Sequence, residues 1–242
     1  MRKLYTIIMM FLACTLVLQA KNYVVCVGVA DYPGTDSDLK LSATDAQTMK
    51  TLYEKNGDAE VVALTNDHAT VSAITDAVGA LYAKATTADA VIFYFSGHGM
   101  PGCFICYDGV LKYDVLTDFM AKSQAGSKMV MADACFAGNA RQEKTDELNV
   151  NKAENVMFFL SSRSNETSLE RKSGWTNSLF TAYLERGLRG GADSNKDRTI
   201  TARELFLFVN KGVAEQSRKK QHPVMWGRFD DNMPVMVWKK KK

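Results

Sequence analysis

The sequence predicts an α/β fold, with a mostly parallel central sheet covered by helices on both faces. Short apolar runs alternate with amphipathic stretches from residue 24 to residue 238. Strands joined through crossover helices produce that alternation. Length agrees: the chain beyond its N-terminal segment, roughly 220 residues, suffices for one such domain with a sizeable core. No internal repeat or low-complexity tract interrupts the pattern.

The elements follow in order. Residues 24–29 read as a strand, and 44–55 as a helix with Ala46, Met49 and Leu52 on one side. A second strand at 60–64 precedes a helix at 70–83 with an Ala/Ile/Val/Leu face. A third strand, 90–95, precedes a helix at 112–123. Further strands are predicted at 128–132, 156–160 and 234–238, with helices at 176–186 and 202–217 between the last two. Residues 139–154 are polar and nearly free of large apolar side chains, as a processing-prone linker would be.

Both ends and the composition narrow the function classes. Arg2 and Lys3 followed by an apolar run from Leu4 to Leu18, then Gln19-Ala20, form the layout of a secretory signal over residues 1–20. Residues 21–242 are then a single exported domain, periplasmic or extracellular. Leu12-Ala13-Cys14 loosely resembles a lipid-attachment motif, which would instead anchor the chain at Cys14. No later stretch is apolar enough to span a bilayer. The formal charge of +3 falls to about +1 without Arg2 and Lys3. What is basic gathers in Arg218-Lys219-Lys220 and residues 239–242, without the aromatic interleaving of a nucleic-acid surface. Nucleic acid is not an expected partner. Cys26, Cys103, Cys106 and Cys135 are too few for a disulfide framework, and Cys103-Phe-Ile-Cys106 lacks the second pair of a zinc site.

Two strand ends carry reactive side chains among small residues. The run 91–95 passes into Ser96-Gly97-His98-Gly99, and 128–132 into Asp133-Ala134-Cys135-Phe136-Ala137-Gly138. Ligands gather at the carboxyl edge of a parallel sheet, where both loops fall. Imidazole can take the thiol proton, and the thiolate can attack a carbonyl. Backbone amides of Gly99 and Cys135 are natural donors to the resulting oxyanion. Cys135 is the expected nucleophile and His98 its proton-handling partner.

Tyr94-Phe-Ser-Gly-His-Gly99 and Asp133-Ala-Cys-Phe-Ala-Gly138 resemble the histidine and cysteine motifs of metacaspases and bacterial caspase-like peptidases. The likeness spans nearly all of residues 22–238. It includes Val27-Gly-Val-Ala-Asp31, Ser42-Ala-Thr-Asp-Ala46, residues 161–170 and Pro223-Val-Met-Trp-Gly-Arg-Phe-Asp230. The resemblance implies a caspase-like three-layer sandwich, a His98/Cys135 dyad acting on a peptide or protein, and a substrate pocket lined by Asp133, Asp45 and Ser96. Carboxylates in that pocket favour Arg or Lys and repel Asp. Asp45 also suits the N-terminus of a helix on dipole grounds alone. Phe136-Ala137 departs from the family's His-Ser after the cysteine, which motivates a rival reading as a non-catalytic binding or adaptor domain. Asn139-Ala-Arg-Gln142 lacks the acid that calcium-dependent metacaspases place there, so no metal is required by that route.

A separate calcium loop is suggested at residues 193–204, with Asp193, Asn195, Asp197, Thr199 and Glu204 at oxygen-ligand spacing. Arg198 stands where that turn favours glycine. A polar turn capping the following helix explains the same residues.

Overall fold

The computed structural model describes residues 20–34, 36–56, 58–134, 156–163, 166, 168–169 and 175–238. Residues 1–19 with Cys14, the nucleophile candidate Cys135, the 139–154 segment and the terminal lysines lie outside the described residues.

Six strands form the central sheet: β1 (Asn22–Gly28), β2 (Ala59–Thr65), β3 (Ala90–Gly97), β7 (Ser127–Ala134), β8 (Val156–Leu160) and β10 (Val224–Arg228). Their order is β10-β8-β7-β3-β1-β2. All neighbours run parallel except β10, which pairs antiparallel with β8. Helices α1 (Ser42–Asn56), α2 (Val71–Tyr82), α3 (Tyr113–Lys122), α4 (Leu179–Arg186) and α5 (Ala202–Gln216) cover it.

Alternation along the strands divides the core into two layers. Val25, Val27, Phe93, Phe95, Val130 and Phe158 face α2 and α3, meeting Ile74, Val78, Leu116 and Met120. Val24, Cys26, Ile92, Tyr94, Met131 and Phe159 face the other helices, meeting Met49, Leu52, Phe180, Leu205 and Val209. β1, β3, β7 and β8 are apolar on both faces because both are buried. The three-layer α/β sandwich is as the sequence predicts.

Several short elements were not legible in the pattern. A small antiparallel sheet, β4 (Gly99–Met100), β5 (Cys103–Ile105) and β6 (Val110–Lys112), follows the SGHG box. It buries the Cys103 and Cys106 thiols, and burial pushes the Cys106 thiol up to about 12. Burial likewise raises the Cys103 thiol, and both cysteines are free. The strand expected at 234–238 exists as β11 (Pro234–Val237), but it pairs with β9 (Thr199–Thr201) outside the central sheet. The helix expected from 176 begins at Leu179, because Asn177 and Ser178 are drawn into the site described below.

No helix among the described residues is long and apolar enough to cross a membrane.

Candidate active site

The site is built where β1, β3 and β7 end side by side. Registers pair Gly28 with Ser96, Ser96 with Asp133, and Gly97 with Ala134. Adjacent strands lie about 4.8 Å apart, so residues leaving Gly97 and Ala134 start from neighbouring rungs. His98 follows the first. Cys135 follows the second and lies outside the described residues.

His98 is half-buried and held on three sides. Its backbone N–H donates to the Tyr32 hydroxyl at 2.8 Å, and that hydroxyl donates to Ile105 O at 3.1 Å. Its ring lies on Tyr32 with centroids 4.9 Å apart. Nε2 is 2.8 Å from Ser37 O. A carbonyl only accepts, so Nε2 carries the hydrogen and Nδ1 of the neutral ring keeps its lone pair.

The loop after β1 brings Tyr32 and Ser37 to this place. Asn66 Oδ1 accepts from Ala30 N and Asp31 N, and Asp38 Oδ1 accepts from Tyr32 N. Gly97 permits the close approach, since a Cβ there would stand 2.8 Å from the Tyr32 hydroxyl oxygen. Gly99 lies opposite Phe104, flanked by the bond from Ile105 N to His98 O. That geometry turns the Gly99 N–H out of the ladder.

Beside the histidine sit two buried acids. Asp45 is fully buried in the first turn of α1 and Asp133 is buried at the end of β7. Asp45 accepts from Ser96 Oγ (2.9 Å), Asn177 Nδ2 (2.9 Å), Ser178 N (3.0 Å) and Ser178 Oγ. Asp133 accepts from Thr181 N (3.2 Å), Thr181 Oγ1 (3.0 Å) and Ser168 Oγ. Each of these donors is neutral. Burial, and then the neighbouring Asp133, push the Asp45 carboxyl up to about 7, against the pull of Ser178, Asn177 and Ser96. Burial raises Asp133 as well. Two carboxyls near one another and away from water cannot both ionise cheaply. Asp45 thus ties the first turn of α1 to β3 and to the segment that precedes α4.

The sequence thus located His98, Ser96, Asp45 and Asp133, and the structure brings them to one edge. Sequence reasoning missed Tyr32, Ser37, Ser168, Asn177, Ser178 and Thr181. Residues 176–178 were read as the start of a helix and residues 161–170 only as part of a family likeness, so nothing in the pattern tied their polar side chains to the acids.

The 193–204 loop fits a cation only in part. Lys196 and Arg198 adopt left-handed backbone (φ 62° and 72°), so the turn forms despite the Arg198 Cβ. Several of its side-chain oxygens are already engaged. Asp193 Oδ2 accepts from Arg198 N, Asn195 Oδ1 from Asp197 N, and Asp197 Oδ1 from Thr199 N. Glu204 accepts from Ser194 and closes the capping box of α5 with Thr201. Only Asp193 Oδ1 is shielded without a partner. Among the described residues, no three His, Cys, Asp or Glu side chains gather as a metal-ready group. Calcium would have to take Glu204 from its cap, so the polar-turn reading fits this arrangement better.

The caspase-domain family model matches residues 21–233. The chain belongs to the caspase-domain family. A crystal structure of a protein from Geobacter sulfurreducens is similar with a TM-score of 0.68 at 18% identity, covering 90% of this chain and 100% of that one. Caspase-1 from Spodoptera frugiperda is similar with a TM-score of 0.68 at 14% identity, covering 92% of each chain. At such identities these likenesses speak for the fold of the caspase domain. No curated protein is a significant match in sequence.

Proposed function

We propose that this caspase-domain protein is a cysteine endopeptidase that cuts after Arg or Lys, with Cys135 as nucleophile and His98 as base. Support for the dyad is the pairing of Gly97 with Ala134, which starts the two reactive loops on neighbouring rungs. In this reading His98 Nδ1 takes the Cys135 proton, and the sulfur attacks the scissile carbonyl. The carbonyl oxygen becomes an oxyanion facing the Gly99 and Cys135 N–H groups. The imidazolium returns its proton to the leaving amine as the C–N bond breaks. Water, deprotonated by Nδ1, then releases the acid from the thioester.

The observation that carries the specificity is the pair of buried carboxylates, Asp45 and Asp133, ringed by neutral donors beside this edge. A guanidinium or ammonium entering there supplies the opposite charge that both acids lack, whereas an acidic side chain meets like charge. Export by the N-terminal segment belongs to the same reading, with substrates outside the cytoplasm.

Peptide reporters ending in Arg, Lys, Asp or norleucine test it, beside Cys135→Ala. Hydrolysis of the basic reporters alone, lost in Cys135→Ala, is expected. Hydrolysis that survives Cys135→Ala overturns the dyad, and an Asp preference overturns the pocket. No hydrolysis, with no labelling of Cys135 by an arginine-type electrophile, would assign the chain to the adaptor class.

A further inference from the structure

The chain leaving α5 turns abruptly toward the acid pocket. Arg218 and Lys219 are both left-handed (φ 55° and 61°), and Ser217 Oγ accepts from Gln221 N at 3.1 Å. This turn delivers Gln221 and His222 against the segment that follows β8.

Gln221 is fully buried, yet its amide is satisfied at both atoms. Nε2 donates to Ser161 O at 2.9 Å and to Ser168 Oγ at 3.3 Å, while Oε1 accepts from Leu169 N at 3.1 Å. His222 grips the same segment two residues earlier. Its backbone N–H donates to Glu166 Oε2 at 2.7 Å, and its Nδ1 lies 2.7 Å from Glu166 Oε1. Glu166 itself is tied back through Ser162 Oγ and Arg163 O.

Direction makes these contacts matter. The Gln221 amide nitrogen can only donate, so it occupies a lone pair of the Ser168 oxygen. The one hydrogen of that hydroxyl is left to point at Asp133 Oδ1, where the bond is made. On its far side Asp133 accepts from Thr181. The carboxylate is thus held between α4 and a loop that has its own clamp.

We propose that Gln221 and His222 are positioning residues for selection of a basic side chain: they fix Ser168 so that Asp133 presents its charge in one orientation. This rests on the reading of Asp45 and Asp133 as the substrate pocket. Neither residue touches the reacting atoms, so their effect acts on substrate binding more than on turnover.

Full-length wild type, Gln221→Met, His222→Leu and His222→Asn are compared on arginine and norleucine reporters. Gln221→Met and His222→Leu should raise KM for the arginine reporter roughly tenfold, with kcat within about twofold, because a displaced pocket carboxylate binds less well. Preference for arginine over norleucine should narrow in parallel. His222→Asn should restore both, since its amide nitrogen can stand where Nδ1 stood. Iodoacetamide, which needs no pocket, should label Cys135 at the wild-type rate in all variants. If His222→Leu does not fold, Glu166→Gln takes its place.

An unchanged arginine preference in both Gln221→Met and His222→Leu, with wild type selective, overturns the clamp alone. Equal loss in His222→Asn, or a collapse of iodoacetamide labelling, also overturns it, by showing general loosening. A wild type indifferent to arginine overturns the pocket, and the clamp falls with it.

Discussion

Replacing Asp45 by Asn should reshape how stability depends on pH. In the folded chain burial and Asp133 lift this carboxyl from its usual 3.8 to about 7. Folded protein therefore binds more protons than unfolded protein between those two values, and stability falls as pH rises through that window. A displacement of about three pH units corresponds to ~4 kcal/mol lost by pH 8, at 1.36 kcal/mol per unit. Asparagine keeps the size and an acceptor oxygen but cannot ionise. Its Nδ2 replaces the oxygen that accepts from Ser96 and Ser178 Oγ, whose hydroxyls must turn to accept instead; that cost is the same at every pH, and the lost charge-assisted part of the bonds is felt only where wild type is ionised. The assay is urea unfolding of both proteins at pH 4.5, 6, 7 and 8, in a Cys135→Ala background to exclude self-cleavage. Asp45→Asn should gain on wild type steadily from pH 4.5 to 8, by up to ~4 kcal/mol. Asp133 titrates in both proteins, and losing its acidic neighbour eases its ionisation in the variant, which adds to the variant's gain at high pH. A difference that stays constant across pH refutes the reasoning.

Other perturbations probe the rest of the edge. Tyr32→Phe removes the hydroxyl shared by His98 N and Ile105 O, so kcat should fall and stability drop by about 1–2 kcal/mol, read by reporter kinetics and urea unfolding. Gly28→Ala would set a Cβ 2.3 Å from Ser42 O, pushing α1 and Asp45 off the sheet; a loss of roughly 1–3 kcal/mol is expected in melting or urea curves. EDTA should leave reporter hydrolysis unchanged, while a calcium-dependent rise in Tm absent from Asp193→Asn would report occupancy of the 193–204 loop. Intact-mass spectrometry of wild type beside Cys135→Ala should find cleavage after Arg141, Lys144 or Lys152 in wild type alone, and identical masses would exclude self-processing there.

The fold class was readable because strands buried on both faces become nearly unbroken apolar runs, as in 90–95 and 156–160. The loop of His98 was readable because Ser96-Gly97-His98-Gly99 is contiguous in sequence; the loop of Cys135 lies outside the described residues. The smaller strands were not: Gly99–Met100 and Thr199–Thr201 are too short to show a period, and β10 (Val224–Arg228) is partly exposed and contains a glycine. The donors around the acids were hidden for another reason. Thr181 reaches Asp133 across 48 residues and Ser178 reaches Asp45 across 133, pairings that only the folded topology creates. They also explain the late start of α4: Ser178 N is given to Asp45 rather than to a longer helix.

The group that orients His98 is the Ser37 carbonyl, an atom that no side-chain exchange deletes. Ser37→Ala would leave it in place, and an alanine scan would reach it only indirectly, through side chains such as Asp38 that hold the loop. Only a change in the path of the chain, such as a shortened loop or an inserted proline, can withdraw it. Orientation of this imidazole is therefore vested in loop conformation, and whatever bends that loop turns the ring while every side chain of the sequence stays the same.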